Sequence, residues 1–188
     1  KVALEVGIGA SIGGARTIVT MKHVGVNVAA DPLFTFSYTG VRGGLVLVVA
    51  DDPEMHSSQD EQDSRQYARF AKVPMFEPAD SQEALDFTRL AFDASEQFDT
   101  PVLVRSTTRI SHSKSIVELG EPLAELPETG LIRDPDKFVM LPSNARVRHP
   151  MVEKRLEDMS EWACSQGFNR IEEGDGQLGS ITSGVAYQ

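Results

Sequence analysis

Residues Thr17–Arg65, TIVTMKHVGVNVAADPLFTFSYTGVRGGLVLVVADDPEMHSSQDEQDSR, decide the fold. Two short apolar runs rich in β-branched residues, Thr17–Met21 and Leu45–Ala50, each empty into a polar loop. The first loop is Lys22-His23 and the second is Asp51–Asp63. A helix-length apolar segment lies between the runs, so the pattern reads strand–helix–strand. In an open parallel sheet, ligands gather outside the carboxyl ends of the strands, where both polar loops fall. The fold class that follows is α/β, a doubly wound, mostly parallel sheet with its chemistry at that edge.

Working outward, Lys1–Gly14 reads as a helix whose small residues Ala3, Gly7, Ala10 and Ser11 permit close packing, with Gly13-Gly14 ending it. Its glycines form no dinucleotide fingerprint, because no strand precedes them. The apolar segment Val24–Tyr38 is a helix kinked or broken at Asp31-Pro32, and its low charge predicts burial against the sheet and a partner chain. Ser64–Phe70 is a short helix and Val73–Phe76 an edge strand. Asp80 or Ser81 caps an amphipathic helix over Gln82–Phe98, with Ala84, Leu85, Phe87, Thr88, Ala91 and Phe92 turned inward. Val102–Arg105 is a third central strand.

Past Ile110 the character changes. Ser111–Asn144 holds four prolines and no sustained period, which reads as a linker with a short strand at Val139–Pro142. His149-Pro150 opens a charged helix ending near Gln166-Gly167, with Val152, Leu156, Met159 and Ala163 on one face. Phe168–Gly176 is a loop, and Ser180–Ser183 has the look of a strand opening a further domain. The domain reading is therefore 1–113, a linker over 114–178, and a new domain from 179. A helix already under way at Lys1 and a strand beginning near Ser180 suggest a piece of a longer polypeptide.

The 188 residues suffice for one α/β domain with a sizeable core. With 28 acidic against 18 basic residues the net charge is -10, which lacks the basic footprint of a nucleic-acid binder. No apolar run approaches the roughly 20 residues of a membrane-spanning helix, and the reading is cytoplasmic. A single cysteine, Cys164, provides neither a disulfide framework nor a cysteine-ligated cluster, and on its helix it reads as a small apolar filler.

His23 ends the first strand beside Lys22, a cation and an imidazole able to bind an anion or shuttle a proton. A hydrogen-bonded structural histidine is the alternative. His56-Ser57-Ser58-Gln59 follows a buried strand in a loop too long for a simple connection, which suits a binding role; a solvated loop tied by Ser and Asp side chains is the alternative. Arg109 follows the third strand and is placed to meet a carboxylate, unless it is simply solvated. His112 and His149 read as surface residues. No Ser–His–Asp order and no metal-ligand spacing emerges.

Thr20–Pro32, TMKHVGVNVAADP, with Asp51–Arg65, DDPEMHSSQDEQDSR, and Arg105–Ser113, RSTTRISHS, resembles a known family. The resemblance, covering Lys1 to about Ser113, is to the pyrimidine-binding domain of thiamine-diphosphate-dependent 2-oxoacid:ferredoxin oxidoreductases, specifically their indolepyruvate-using alpha subunits. SITSGVAYQ resembles the start of the transketolase-C-terminal-like domain of that subunit. The resemblance implies oxidative decarboxylation of aryl 2-oxoacids to acyl-CoA, with ferredoxin as electron acceptor. It implies magnesium and iron–sulfur clusters in other parts of the parent protein, a beta subunit and a second alpha subunit as partners. It also implies that Met21, Lys22 and Gly25 pass the reactive end of the cofactor. His23 and His56 fall at catalytic positions, and Ser57, Gln59 and Arg109 near substrate. Pyruvate-using relatives carry an arginine just after the second strand, where this sequence has Asp51-Asp52. The ring-binding glutamate of the family aligns immediately before Lys1, and Glu5 is not its substitute.

Two other functions stay open, a paralogue acting on another 2-oxoacid and a non-catalytic α/β module for subunit assembly. With the glutamate and the diphosphate domain outside this chain, residues 1–188 alone are expected neither to turn over indolepyruvate nor to bind thiamine diphosphate tightly. Calorimetric titration of the isolated chain is the check, and micromolar binding would overturn the expectation.

Overall fold

The computed structural model describes residues 1–122 and 130–187; the stretch of the linker at 123–129 and Gln188 lie outside it. Four parallel strands form one sheet in the order β1-β2-β4-β3, where β1 is Thr17–Lys22, β2 Leu45–Asp51, β3 Met75–Phe76 and β4 Val102–Thr107. Side-chain alternation along β2 sends Leu45, Leu47 and Val49 to one face and Val46 and Val48 to the other. Both faces are covered, which is why this strand reads as an unbroken apolar run. On the first face lie α1 (Val2–Ile12), α2 (His23–Val28), α3 (Ala30–Thr39) and α4 (Ser64–Ala71), meeting in a core that includes Leu4, Val26, Leu33, Phe36 and Ala68. On the second face α5 (Ser81–Phe98) packs Ala91 and Ala94 onto Val46, Val102 and Val104. The expected doubly wound α/β architecture is the observed one.

Local chemistry explains most boundaries. The Asp80 carboxylate accepts from the Glu83 N–H at 2.8 Å and so caps α5. The apolar segment does divide into two helices, but at Ala29 and not at Asp31-Pro32. Pro32 then falls in the first turn of α3, where a missing N–H breaks no helical bond. Within α5 the deepest residues are Ala91, Ala94 and Ser95, one turn further along than expected, because Ser95 donates to the Thr100 carbonyl at 2.6 Å and accepts from the Leu45 N–H.

The region beyond β4 departs further from expectation. Thr108–His112 forms a short helix, α6, and Pro135–Phe138 another, α7. Val139–Pro142 is not a strand; Pro142 instead begins the long helix α8 (Pro142–Ser165), seven residues ahead of the predicted start, and α8 runs through Pro150. The inward face of α8 carries Val152, Arg155 and Met159, while Leu156 is 40% exposed. Cys164 is exposed and fills no core space. Residues 180–183 form no strand, having no strand partner among the described residues, and Gly184–Tyr187 make a turn of 3₁₀ helix.

Of the small residues in α1, Gly7 and Ser11 are buried and Ala3 and Ala10 are exposed. A Cβ on Gly7 would stand 2.4 Å from Val19 Cγ2, whereas one on Gly9 would meet nothing within 4 Å. Gly7→Val is therefore expected to destabilise the domain by about 1–3 kcal/mol. Gly9→Ala should stabilise it by up to about 1 kcal/mol. Urea denaturation of the two variants measures both, and equal effects would contradict the packing described.

Candidate functional site

Strand register sets the site out. Lys22 pairs with Ala50 and Asp51 with Thr107, so the ends of β1, β2 and β4 lie in a row. Asp51 and Asp52, 2% and 4% exposed, close the central strand. Ser64 gives Asp51 both its hydroxyl, at 2.5 Å, and its backbone N–H, at 3.0 Å, which fixes the start of α4. Arg105 Nε donates to the same carboxylate at 2.5 Å and Arg105 Nη1 to Glu77 at 2.5 Å. Asp52 takes the loop. It accepts from the Ser58 hydroxyl at 2.5 Å, the Thr108 hydroxyl at 2.6 Å and the Ser57 N–H at 2.8 Å, with Lys22 Nζ 3.4 Å away. Those hydroxyl and backbone bonds hold the Asp52 carboxyl well below the usual carboxylate range.

Lys22 Nζ also donates to the Ser57 carbonyl at 2.7 Å, which leaves one of its three N–H groups unspent. His23, the first residue of α2, is fully buried, and neither ring nitrogen has a hydrogen-bond partner. Asp60 lies beside it, with Nε2 3.8 Å from Oδ1. Gly25 allows α2 to fold back over the strand end, since a Cβ there would stand 3.0 Å from the Met21 Cβ.

The structure thus brings Met21, Lys22, His23 and Gly25 together with the backbone of Ser57. His56 stands apart on the outer loop, 59% exposed, with only Glu54 at 3.9 Å. Glu54 and Met55 turn that loop outward through left-handed backbone, φ 64° and 55°. Gln59 and Arg109 are exposed. Sequence reasoning missed Asp52, Asp60 and Arg105. The signal for Asp52 was its place: a second acid directly after a buried strand needs donors, and two serines and a threonine stand within reach. Among the described residues, no group of three or more His, Cys, Asp or Glu could hold a metal ion, and no helix is long and apolar enough to cross a membrane.

A parallel sheet wound on both faces, with an unsatisfied imidazole buried at its carboxyl edge, defines a ligand-binding α/β domain. The chain belongs to the pyruvate flavodoxin/ferredoxin oxidoreductase family, in its thiamine diphosphate-binding domain, which it matches over residues 2–154. It is 51% identical over 188 residues to the indolepyruvate oxidoreductase subunit IorA of Archaeoglobus fulgidus, covering all of this chain and 30% of that protein. Identity to the protein of the same name is 46% over 189 residues in Methanothermobacter thermautotrophicus and 43% over 193 residues in Pyrococcus horikoshii. The chain spans all of its own length but only 31% and 30% of those two relatives.

The residues present fit one wall of thiamine diphosphate. A flat heteroaromatic ring carrying both donors and acceptors matches an imidazole whose two nitrogens are buried and unpartnered, beside a glycine packed closely on Met21. Asp52 governs the loop over that wall, and the sign of its effect follows from its lowered pKa. A carboxyl group depressed in the folded state supports the fold fully above its ordinary pKa of about 4 and loses that support as pH falls further. In Asp52→Asn the Ser57 amide should lose hydrogen-exchange protection by about tenfold, roughly one hydrogen bond. The extra loss of protection expected of wild type below about pH 4 should also shrink. Equal protection in both proteins at neutral pH would show that Asp52 does not hold the loop.

Proposed function

We propose that this chain is the pyrimidine-binding part of a 2-oxoacid:ferredoxin oxidoreductase acting on aryl 2-oxoacids, indolepyruvate foremost, with coenzyme A as acyl acceptor. The observation that carries the reading is His23, a fully buried imidazole with two unpartnered nitrogens at the carboxyl edge of a domain from a thiamine diphosphate-binding family. The identity to subunits named for indolepyruvate supports the substrate. Magnesium and iron–sulfur clusters belong in this reading to other parts of the parent protein. A beta subunit, a second alpha subunit and ferredoxin are its partners, and its compartment is the cytoplasm.

Bound thiamine diphosphate supplies an electron sink for the carbon–carbon bond broken in decarboxylation. The residues of this chain do the rest of the local work. Met21 and Gly25 would hold the cofactor ring. Lys22 offers its unspent N–H to the substrate carboxylate, in place of the arginine for which Asp51-Asp52 leave no room. His23 holds or moves a proton at Nε2, the nitrogen facing Asp60, in a site from which water is excluded. Asp52 keeps Lys22 and the Ser57 backbone in register. Ser57, Gln59 and His56 form the outer rim of the substrate side, with Arg109 beyond them.

In the full-length protein with cofactor saturating, His23→Asn should lower kcat by about 10²–10⁴-fold, the usual worth of a positioned acid–base group. His56→Ala, at the exposed rim, should lower it by far less. Steady-state turnover with ferredoxin as acceptor measures both, and circular dichroism confirms that the variants fold. Wild-type kcat in His23→Asn would return His23 to a structural role.

A further inference from the structure

A second space at the carboxyl edge has a different character from the His23 end. A cavity of about 230 Å³ lies between the start of α4, the ends of β3 and β4, and residues 183–186. It far exceeds the roughly 30 Å³ share of one water, yet falls just short of the about 300 Å³ at which drug-sized sites begin. Its two guanidinium groups are already matched. Arg105 lies between Asp51 and Glu77, and Arg65 forks onto Asp63 with Nη2 at 2.8 Å. A lining whose guanidinium groups are all paired with carboxylates offers flat faces and no free cation, which suits an aromatic ring better than an anion.

Two acceptors in this lining are left over. Thr107 Oγ1, at the last residue of β4 and only 7% exposed, has no hydrogen-bond partner. Gln62 Oε1 is buried and likewise without one. The orientation of the Gln62 amide is dictated by its neighbour: Nε2 lies 3.2 and 3.3 Å from the two oxygens of Asp60, a carboxylate that only accepts. The oxygen is therefore the end of the amide left without a donor. Buried acceptors without donors are rare and costly, and two in one cavity ask for a ligand that donates.

Building on the 2-oxoacid reading above, we propose that this cavity seats the aryl ring of the substrate, with Gln62 Oε1 and Thr107 Oγ1 accepting a hydrogen bond from a ring N–H. Gln62 is then a specificity-determining residue, and the arrangement explains why the loop that carries it is so polar. Asp60 joins the two ends of the site, since it orients Gln62 and also lies 3.8 Å from His23 Nε2. The spacing agrees. β1 and β4 flank β2, so His23 and Thr107 follow strand ends two interstrand steps apart, about 10 Å, the scale of a bicyclic 2-oxoacid.

The test uses the full-length protein with its partner subunit and two 2-oxoacids of the same chain, one with an indole ring and one with a phenyl ring that has no donor. In Gln62→Leu the indole-to-phenyl ratio of kcat/KM should fall about tenfold, one hydrogen bond. Thr107→Val, nearly isosteric, should move the ratio the same way, and Thr107→Ser should restore it. It also serves if Gln62→Leu folds poorly. An unchanged ratio in both variants, at wild-type turnover, overturns the assignment and leaves water as the occupant of the cavity. Failure of the wild-type protein to turn over either acid would remove the parent reading itself, and this proposal with it.

Discussion

Two adjacent carboxylates, Asp51 and Asp52, end the central strand, and the whole carboxyl edge depends on how their charges are met. Leaving an ionised carboxylate buried without partners costs several kcal/mol. Side chains alternate across a strand, so the two acids draw their partners from opposite sides. Asp51 collects Ser64 and Arg105, and through Arg105 it reaches Glu77 beside β3. Asp52 collects Ser57, Ser58, Thr108 and Lys22. One acid thereby fixes the start of α4 while the other fixes the loop over β1. A loop of this length with only a 3₁₀ turn at Pro53–Met55 would otherwise be mobile; here two carboxylates fix both its ends.

Because those charges are so fully matched, the few unmatched groups gain meaning. His23, Thr107 and Gln62 supply four of the five buried side-chain atoms without hydrogen-bond partners among the described residues, and all three lie along the carboxyl edge. Among the described residues the one other such atom is Arg155 Nε on α8, so the exceptions concentrate at the edge where open parallel sheets bind ligands. The exposed His56 shows the converse. Solvent already satisfies its ring, so nothing about its surroundings asks for a ligand.

The architecture was legible because each element rests on a local signal. The β-branched runs gave β1, β2 and β4, and the acid before Ser81 gave the cap of α5. The fold-back of α2 was not legible, since the close approach of Gly25 to Met21 appears only in the structure. What could not be read was any contact between distant segments. The sequence Asp51-Asp52 looks like a solvated turn until Arg105, 54 residues on, arrives from the neighbouring strand. The start of α8 was misplaced for a related reason. His149-Pro150 resembles a helix opening, and only the tertiary contacts of Arg148 show that the helix is already formed there. Within the site, residue types pointed to His23 and Lys22 correctly as neighbours at a strand end. They gave no means of separating a buried imidazole from an exposed one.

Those contacts of α8 also change what the region after β4 is. Asp99, in left-handed conformation at the end of α5, receives Lys137 at 2.9 Å and Arg148 at 3.0 Å, while Arg155 donates to its carbonyl at 2.6 Å. The same three cations reach carbonyls at and just after the end of α3: Arg155 that of Ser37, Arg148 those of Tyr38 and Thr39, and Lys137 that of Val41. Cations belong at helix carboxyl ends, where the peptide dipoles leave partial negative charge. Burial lowers the Arg155 guanidinium to about 10, so it stays charged at neutral pH and keeps the clasp closed. Gly40 is required beneath it, since a Cβ there would stand 2.1 Å from Asp99 Oδ1. A segment held this way is not a free tether. It carries Trp162 and Phe168 onto Phe76 and Phe87 on the second face, and brings Ser183 to Glu77 at 3.0 Å. Glu77 is the residue that also holds Arg105, so the clasp at Asp99 returns the chain to the carboxyl edge, against the network that Asp51 began.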